Sequence, residues 1–169
     1  MTADDALLPR VAALGDALRA RGCKVASAES CTGGLIAAAC TGVAGSSDWF
    51  ERGFVTYSNE AKTDLLGVPA ALIERHGAVS AEVARVMAEG ALARSRAQFV
   101  VAVTGIAGPG GATPGKPVGT VWLAIACSGE TVQAELLHLA GDRAEVRAQT
   151  VAIALDRLLA RATAARSAT

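Results

Sequence analysis

Residues 25–34, Val-Ala-Ser-Ala-Glu-Ser-Cys-Thr-Gly-Gly, restrict the fold of this chain more than any other stretch. An apolar run suited to a strand ends in three small nucleophilic side chains, Ser30, Cys31 and Thr32, and an alanine-rich helix is expected over 32–41. A strand that turns directly into a helix belongs to alternating α/β folds. The start of such a helix carries unpaired backbone N–H groups and the positive end of its dipole, so the spacing predicts a place beside Ser30 for an anion or an oxyanion. The competing role for Ser30 or Thr32 is to cap the helix, which Ser and Thr commonly do.

The rest of the chain supplies the layers. Leu7, Val11, Leu14 and Leu18 recur on one helix face, and Gly22 stands where a C-terminal cap belongs, so a first helix is expected over 5–21 and a strand over 24–28. A second strand is expected over 53–58. Asn59 is read as the N-cap of a helix over 60–66, Pro69 opens a helix that stops at Gly77, and Ser80 caps one reaching about residue 96. Residues 99–103 form a continuous apolar run, as in strands covered on both faces. A glycine- and proline-rich loop over 104–119 follows. Strands over 120–127 and 131–139 meet across Ser128-Gly129-Glu130, and Asp142 with Glu145 resembles a capping box for a last helix to about residue 164. Five strands among five or six helices predict a three-layer α/β/α sandwich with a mixed sheet, filling one domain of 169 residues. Ligands of such sheets bind beyond the carboxyl ends of strands. Residues 29–34, 57–62 and 104–111 all lie at such ends.

Composition excludes several classes of function. Sixteen basic and sixteen acidic residues cancel, and aromatics are only 4%, so neither nucleic acid nor an anionic membrane surface is an expected partner. Cys23, Cys31, Cys40 and Cys127 form no C-x-x-C pair and read as reduced thiols. The first ten residues lack a signal pattern and no apolar stretch is long enough to span a membrane, so a cytoplasmic location is expected. With only His76 and His138 and no clustered ligands, neither a metal site nor a cofactor is expected. Gly110 through Gly115-Lys116 has the spacing of a phosphate-binding P-loop, but Pro117 stands where Ser or Thr should hold magnesium and a strand follows at once.

A serine nucleophile needs a base. His76 sits at a helix end and His138 inside a strand, and there is no G-x-S-x-G elbow, which leaves Lys62. In the first turn of its helix an ammonium is disfavoured by the dipole. Lowering a lysine from about 10.4 to about 7.5 takes roughly 4 kcal/mol, of which the dipole supplies about 1, so burial must supply the rest. The alternative is a solvated surface lysine. Tyr57, the only tyrosine, lies just upstream and could share the proton path.

Five strings, Glu-Ser-Cys-Thr-Gly-Gly (29–34), Gly-Phe-Val-Thr-Tyr-Ser-Asn-Glu-Ala-Lys (53–62), Gly-Ala-Val-Ser (77–80), Thr-Gly-Ile-Ala-Gly-Pro-Gly-Gly (104–111) and Lys-Pro-Val-Gly-Thr-Val (116–121), closely resemble the CinA carboxy-terminal domain family of nicotinamide-nucleotide amidohydrolases. The resemblance implies hydrolysis of the carboxamide of nicotinamide mononucleotide to nicotinic acid mononucleotide and ammonia, in pyridine nucleotide salvage. It implies Ser30 as nucleophile with Tyr57 and Lys62 as its catalytic partners, and Thr32, Gly33, Gly34, Thr104, Gly105 and Gly108 as substrate contacts. Amides at the start of the helix after Gly33 would hold the oxyanion. The substrate phosphate would lie on the glycine loop with Arg52 or Arg143. Many relatives carry a preceding molybdopterin-binding-like domain with a pyrophosphatase activity, for which this chain has no room, and that activity is expected to be absent. A homo-oligomer acting on this small molecule is the expected assembly. Two rival readings stand beside it: a nucleotide-binding regulatory module of the same fold without turnover, and a cysteine hydrolase using Cys31.

Overall fold

The computed structural model describes residues 3–164. Its elements run α1 (Ala3–Ala20), β1 (Val25–Glu29), α2 (Leu35–Thr41), a 3-10 turn (Ser46–Asp48), β2 (Phe50–Val55), α3 (Asn59–Leu66), α4 (Ala70–His76), α5 (Ala81–Ala93), β3 (Phe99–Gly105), β4 (Thr120–Cys127), β5 (Gln133–His138) and α6 (Arg143–Thr163). The strands form one mixed sheet in the order β2-β1-β3-β4-β5, parallel from β2 to β3 and antiparallel beyond.

The two faces of the sheet differ in bulk because side chains alternate along each strand. Phe99, Val101 and Val103 of β3, with Val121, Leu123 and Ile125 of β4, face α1, α2 and α6 and pack on Leu14, Leu18, Ile36, Leu155 and Leu158. The opposite face presents Ala26, Ala28, Val100, Ala102, Ala124 and Ala126 to Leu66, Ile73, Val83 and Met87 of α3, α4 and α5. Small residues there let α5 approach closely. A Cβ at Gly90 would collide with the Leu66 carbonyl, so α3 and α5 touch backbone to backbone. The three-layer sandwich expected from the sequence is the one observed.

Three boundaries near the site differ from expectation. β2 lies three residues earlier, because its parallel pairing with β1 runs from Val25↔Phe50 to Glu29↔Val55, and its partner sets its extent. α2 starts at Leu35 instead of residue 32, since Gly33 and Gly34 adopt left-handed φ values of +58° and +100° and make a turn that a helix cannot continue through. Ser58, not Asn59, caps α3: its hydroxyl accepts from the Ala61 amide at 3.0 Å, and Asn59 becomes the first helical residue. The caps at Ser80 and at Asp142–Glu145 form as the sequence indicates. All four cysteines are free. Among the described residues no helix is long and apolar enough to cross a membrane.

Candidate active site

Ser30 leaves the carboxyl end of β1, where its amide donates to the Val103 carbonyl at 3.0 Å and fixes the turn to the neighbouring strand. The residue before it, Glu29, is wholly buried. Its carboxylate accepts four hydrogen bonds: from the Ser27 hydroxyl (3.0 Å), the Thr32 hydroxyl (2.7 Å), the Ile36 amide (2.8 Å) and the Ala37 amide (3.0 Å). A buried carboxylate needs such satisfaction, and here the first turn of α2 provides half of it. The anion at the helix start is therefore the protein's own Glu29, which corrects the expectation that those amides receive an oxyanion. Thr32 is corrected as well. Its side chain is no helix cap: it is buried with its hydroxyl on Glu29, while Gly34 occupies the cap position. Among the described residues the amides of Cys31, Thr32 and Gly34 donate to no protein oxygen.

Lys62 reaches this turn from α3, on the far side of the sheet edge. It is 1% exposed, and its Nζ lies 3.0 Å from Ser30 Oγ, 2.9 Å from the Thr56 carbonyl and 3.5 Å from the Ser58 carbonyl. Burial holds its pKa below the ordinary lysine value, opposed by a smaller influence from Cys31. Burial is one of the two contributions expected from sequence. With its two N–H groups directed at carbonyl oxygens, a neutral amine keeps one lone pair for the Ser30 hydroxyl proton. Ser30 itself is 8% exposed.

The other residues singled out divide into two groups. Tyr57 is 61% exposed, and its hydroxyl accepts from Arg143 Nη2 at 3.0 Å. It makes no hydrogen bond to Lys62 or Ser30, so the proton path expected through it is not the arrangement observed. Arg143 also donates to the Gly108 carbonyl at 2.9 Å, joining the second and third motifs. Thr104 is buried and donates to the Ala78 carbonyl at 2.8 Å, tying the 77–80 string to β3. Gly105 ends β3 opposite Val121. Gly33 borders Arg147, whose Nη2 donates to the Thr32 carbonyl at 3.1 Å. Arg52 is turned away: it holds Glu51 and the Arg94 carbonyl (3.0 Å).

Burial pushes the Cys31 thiol up to about 11, which removes the thiolate a cysteine hydrolase would need. His76 faces Glu82 at 3.5 Å and His138 lies on the exposed side of β5. Lys116 of the P-loop-like string donates to the His76 carbonyl at 2.9 Å, and the string starts no helix. Among the described residues no three His, Cys, Asp or Glu side chains cluster as metal ligands.

Sequence reasoning missed the role of Glu29, the carbonyl of Thr56 and Arg147. A carboxylate closing an otherwise small and apolar strand was the one available signal, because such a group cannot be buried without partners.

Residues 9–162 match the CinA C-terminal domain family. The nicotinamide-nucleotide amidohydrolase PncC of Pseudomonas putida is 57% identical over 146 residues, covering 86% of this chain and 91% of that protein. The protein of the same name from Escherichia coli K12 is 51% identical over 156 residues, covering 92% of this chain and 94% of its own length. Among solved structures, the competence/damage inducible protein CihA from Agrobacterium tumefaciens superposes with a TM-score of 0.87 at 48% identity, over 95% of this chain and 96% of that one. Sequence and fold agree over nearly the whole chain, and the chain belongs to the CinA C-terminal domain family.

Proposed function

We propose that this protein hydrolyses the carboxamide of nicotinamide mononucleotide to nicotinic acid mononucleotide and ammonia through a serine acyl-enzyme, as an enzyme of pyridine nucleotide salvage. The names of its relatives supply the substrate. The observation that carries the chemistry is the 3.0 Å contact between Ser30 Oγ and a buried lysine amine. Neutral Lys62 takes the Ser30 proton as Oγ attacks the amide carbon. The developing oxyanion is received by amides of the Cys31–Gly34 turn, not by α2, whose amides Glu29 already holds. Collapse of the tetrahedral intermediate expels ammonia, which carries away the proton from Lys62. A water, deprotonated by the same amine, then cleaves the ester, and the proton returns to Ser30 Oγ. One oxyanion donor is typically worth about 3–4 kcal/mol and a positioned base about 100-fold to 10,000-fold.

Tyr57, exposed and braced by Arg143, acts in this reading at the mouth of the site against the substrate ring or ribose. Thr32, Gly33, Gly34, Thr104, Gly105 and Gly108 border the substrate in this reading through their backbone. The protein works without cofactor as a single-domain, cytoplasmic homo-oligomer, an assembly that sedimentation would read directly.

Ammonia release from the mononucleotide tests the reading. Ser30→Ala is expected to lower kcat by at least about 1,000-fold while the folded state persists. Near-normal turnover in that variant would overturn Ser30 as nucleophile. Thermal stabilisation of the unaltered protein by the mononucleotide without any ammonia would favour the regulatory, non-hydrolytic module.

A further inference from the structure

Thr56 is wholly buried beside the nucleophile and its base. β1 and β2 run in register to Glu29↔Val55, so the next pair across the sheet is Ser30 and Thr56. The Thr56 amide donates to the Glu29 carbonyl at 2.8 Å, and its own carbonyl accepts from Lys62 Nζ at 2.9 Å. Its hydroxyl has no hydrogen-bond partner among the described residues. The buried hydroxyls around it are engaged: those of Ser27 and Thr32 rest on Glu29, that of Thr104 on the Ala78 carbonyl and that of Ser80 on the Gly77 carbonyl. An idle buried hydroxyl lowers stability where a valine of the same shape would not, and native cores rarely keep one.

We infer that Thr56 is a positioning residue for Lys62, its hydroxyl accepting a hydrogen bond, directly or through one bound water, when the amine holds the proton taken from Ser30. The inference rests on the amidase reading for the step at which that proton arrives. A neutral amine has two N–H groups, and the carbonyls of Thr56 and Ser58 receive them. The ammonium has three. Once Ser30 Oγ has bonded to the amide carbon it is a poor acceptor, and the Ser58 carbonyl, at 3.5 Å, is at the limit of a hydrogen bond. A buried charge short of acceptors is unfavourable, and the Thr56 hydroxyl relieves that shortage only in the charged state. An acceptor that is idle in the resting enzyme and engaged in the tetrahedral intermediate favours the transition state over the ground state.

The ionisable groups around Lys62 are otherwise occupied. Cys31, whose charge would act on it, stays a thiol with its pKa pushed up to about 11. The Glu29 carboxylate is taken by four donors, Glu82 of α5 lies against His76 of α4, and Glu60 and Asp64 of α3 are exposed.

The chain has three lysines, Lys24, Lys62 and Lys116, so NMR of protein carrying isotope-labelled lysine titrates the Lys62 amine without any turnover, and Lys62→Met assigns its signal. In Thr56→Val and Thr56→Ala, which lack the hydroxyl, the Lys62 acid dissociation constant is expected to rise about tenfold over the unaltered protein, and Thr56→Ser to keep it. Ammonia release from the mononucleotide should follow. The acid limb of kcat/KM moves to lower pH in step, kcat on the plateau falls by about 10- to 100-fold, and KM stays within about twofold. An unchanged Lys62 titration in both hydroxyl-free variants overturns the inference. So does an equal loss of kcat in Thr56→Ser, which would trace the effect to packing of the methyl group. A titration that shifts with the hydroxyl in a protein that releases no ammonia would instead leave the acceptor standing and remove the amidase reading.

Discussion

In the proposed mechanism Lys62 links the chemistry to pH through its burial. The ammonium form is disfavoured in the folded protein, so its folded pKa lies below the unfolded value of about 10.4. Between those two values the unfolded chain binds a proton that the folded one has released, and stability therefore rises with pH across that window. Below the folded pKa the desolvation penalty is present in full. Lys62→Met removes this dependence, so its stability relative to the unaltered protein should decline as pH rises from the lowered Lys62 pKa toward the unfolded value of about 10.4 in urea titrations. Activity follows the same proton: kcat/KM should rise with pH through the lowered Lys62 pKa. Lys62→Arg, which cannot deprotonate, should lower kcat by about 100-fold to 10,000-fold, read by ammonia release. Cys31, pushed up to about 11, should resist iodoacetamide in the folded protein and react when unfolded, whereas half-buried Cys23 reacts first; peptide mass spectrometry separates them.

At the level of elements, α2 is a helix of seven residues, too short to be stable alone, and Glu29 anchors it. The carboxylate joins the end of β1 to the first turn of α2 and holds the intervening Ser30 turn between them. Glu29→Gln presents an amide nitrogen to at least one of these backbone donors. Leaving one buried donor unsatisfied should cost roughly 1–3 kcal/mol, visible as a lower denaturation midpoint, with a further loss of kcat as the turn loosens. α3 is located in another way. Its last residue, Leu66, lies against Gly90 of α5 with no room for a methyl group, so Gly90→Ala should push the two helices apart and destabilise by roughly 1–3 kcal/mol. Because Lys62 is one turn from Leu66, the same substitution should reduce turnover, and a urea titration beside an activity assay measures both.

Over the whole molecule, the site gathers parts from both helical layers and the sheet edge between them. Ser30 comes from the β1–α2 turn on one side, Lys62 from α3 on the other, and Arg143 from α6 to bridge Tyr57 and the Gly108 loop. A ligand that spans them should stabilise the fold globally. In the Ser30→Ala protein, mononucleotide at 100 times its dissociation constant should add about 2.7 kcal/mol, read as a single shifted melting transition.

What the sequence determined by itself is what depends on neighbours along the chain. The alternation of Phe99, Val101 and Val103 with Val100 and Ala102 sets the two faces of β3, and Asp142 with Glu145 sets the start of α6. The residue types of the chemistry, a serine at a strand end and a lysine early in a helix, are equally local. What only the tertiary structure decided depends on registers and side-chain directions between distant segments. Lys62 meets Ser30 across 32 positions and Arg147 meets the Thr32 carbonyl across 115. Whether Tyr57 turns toward Lys62 or Arg143, and whether the start of α2 awaits a ligand or already holds Glu29, follows from packing between those segments. Periodicity and capping rules describe one segment at a time, and a buried charge chooses its partners only once the layers have closed around it.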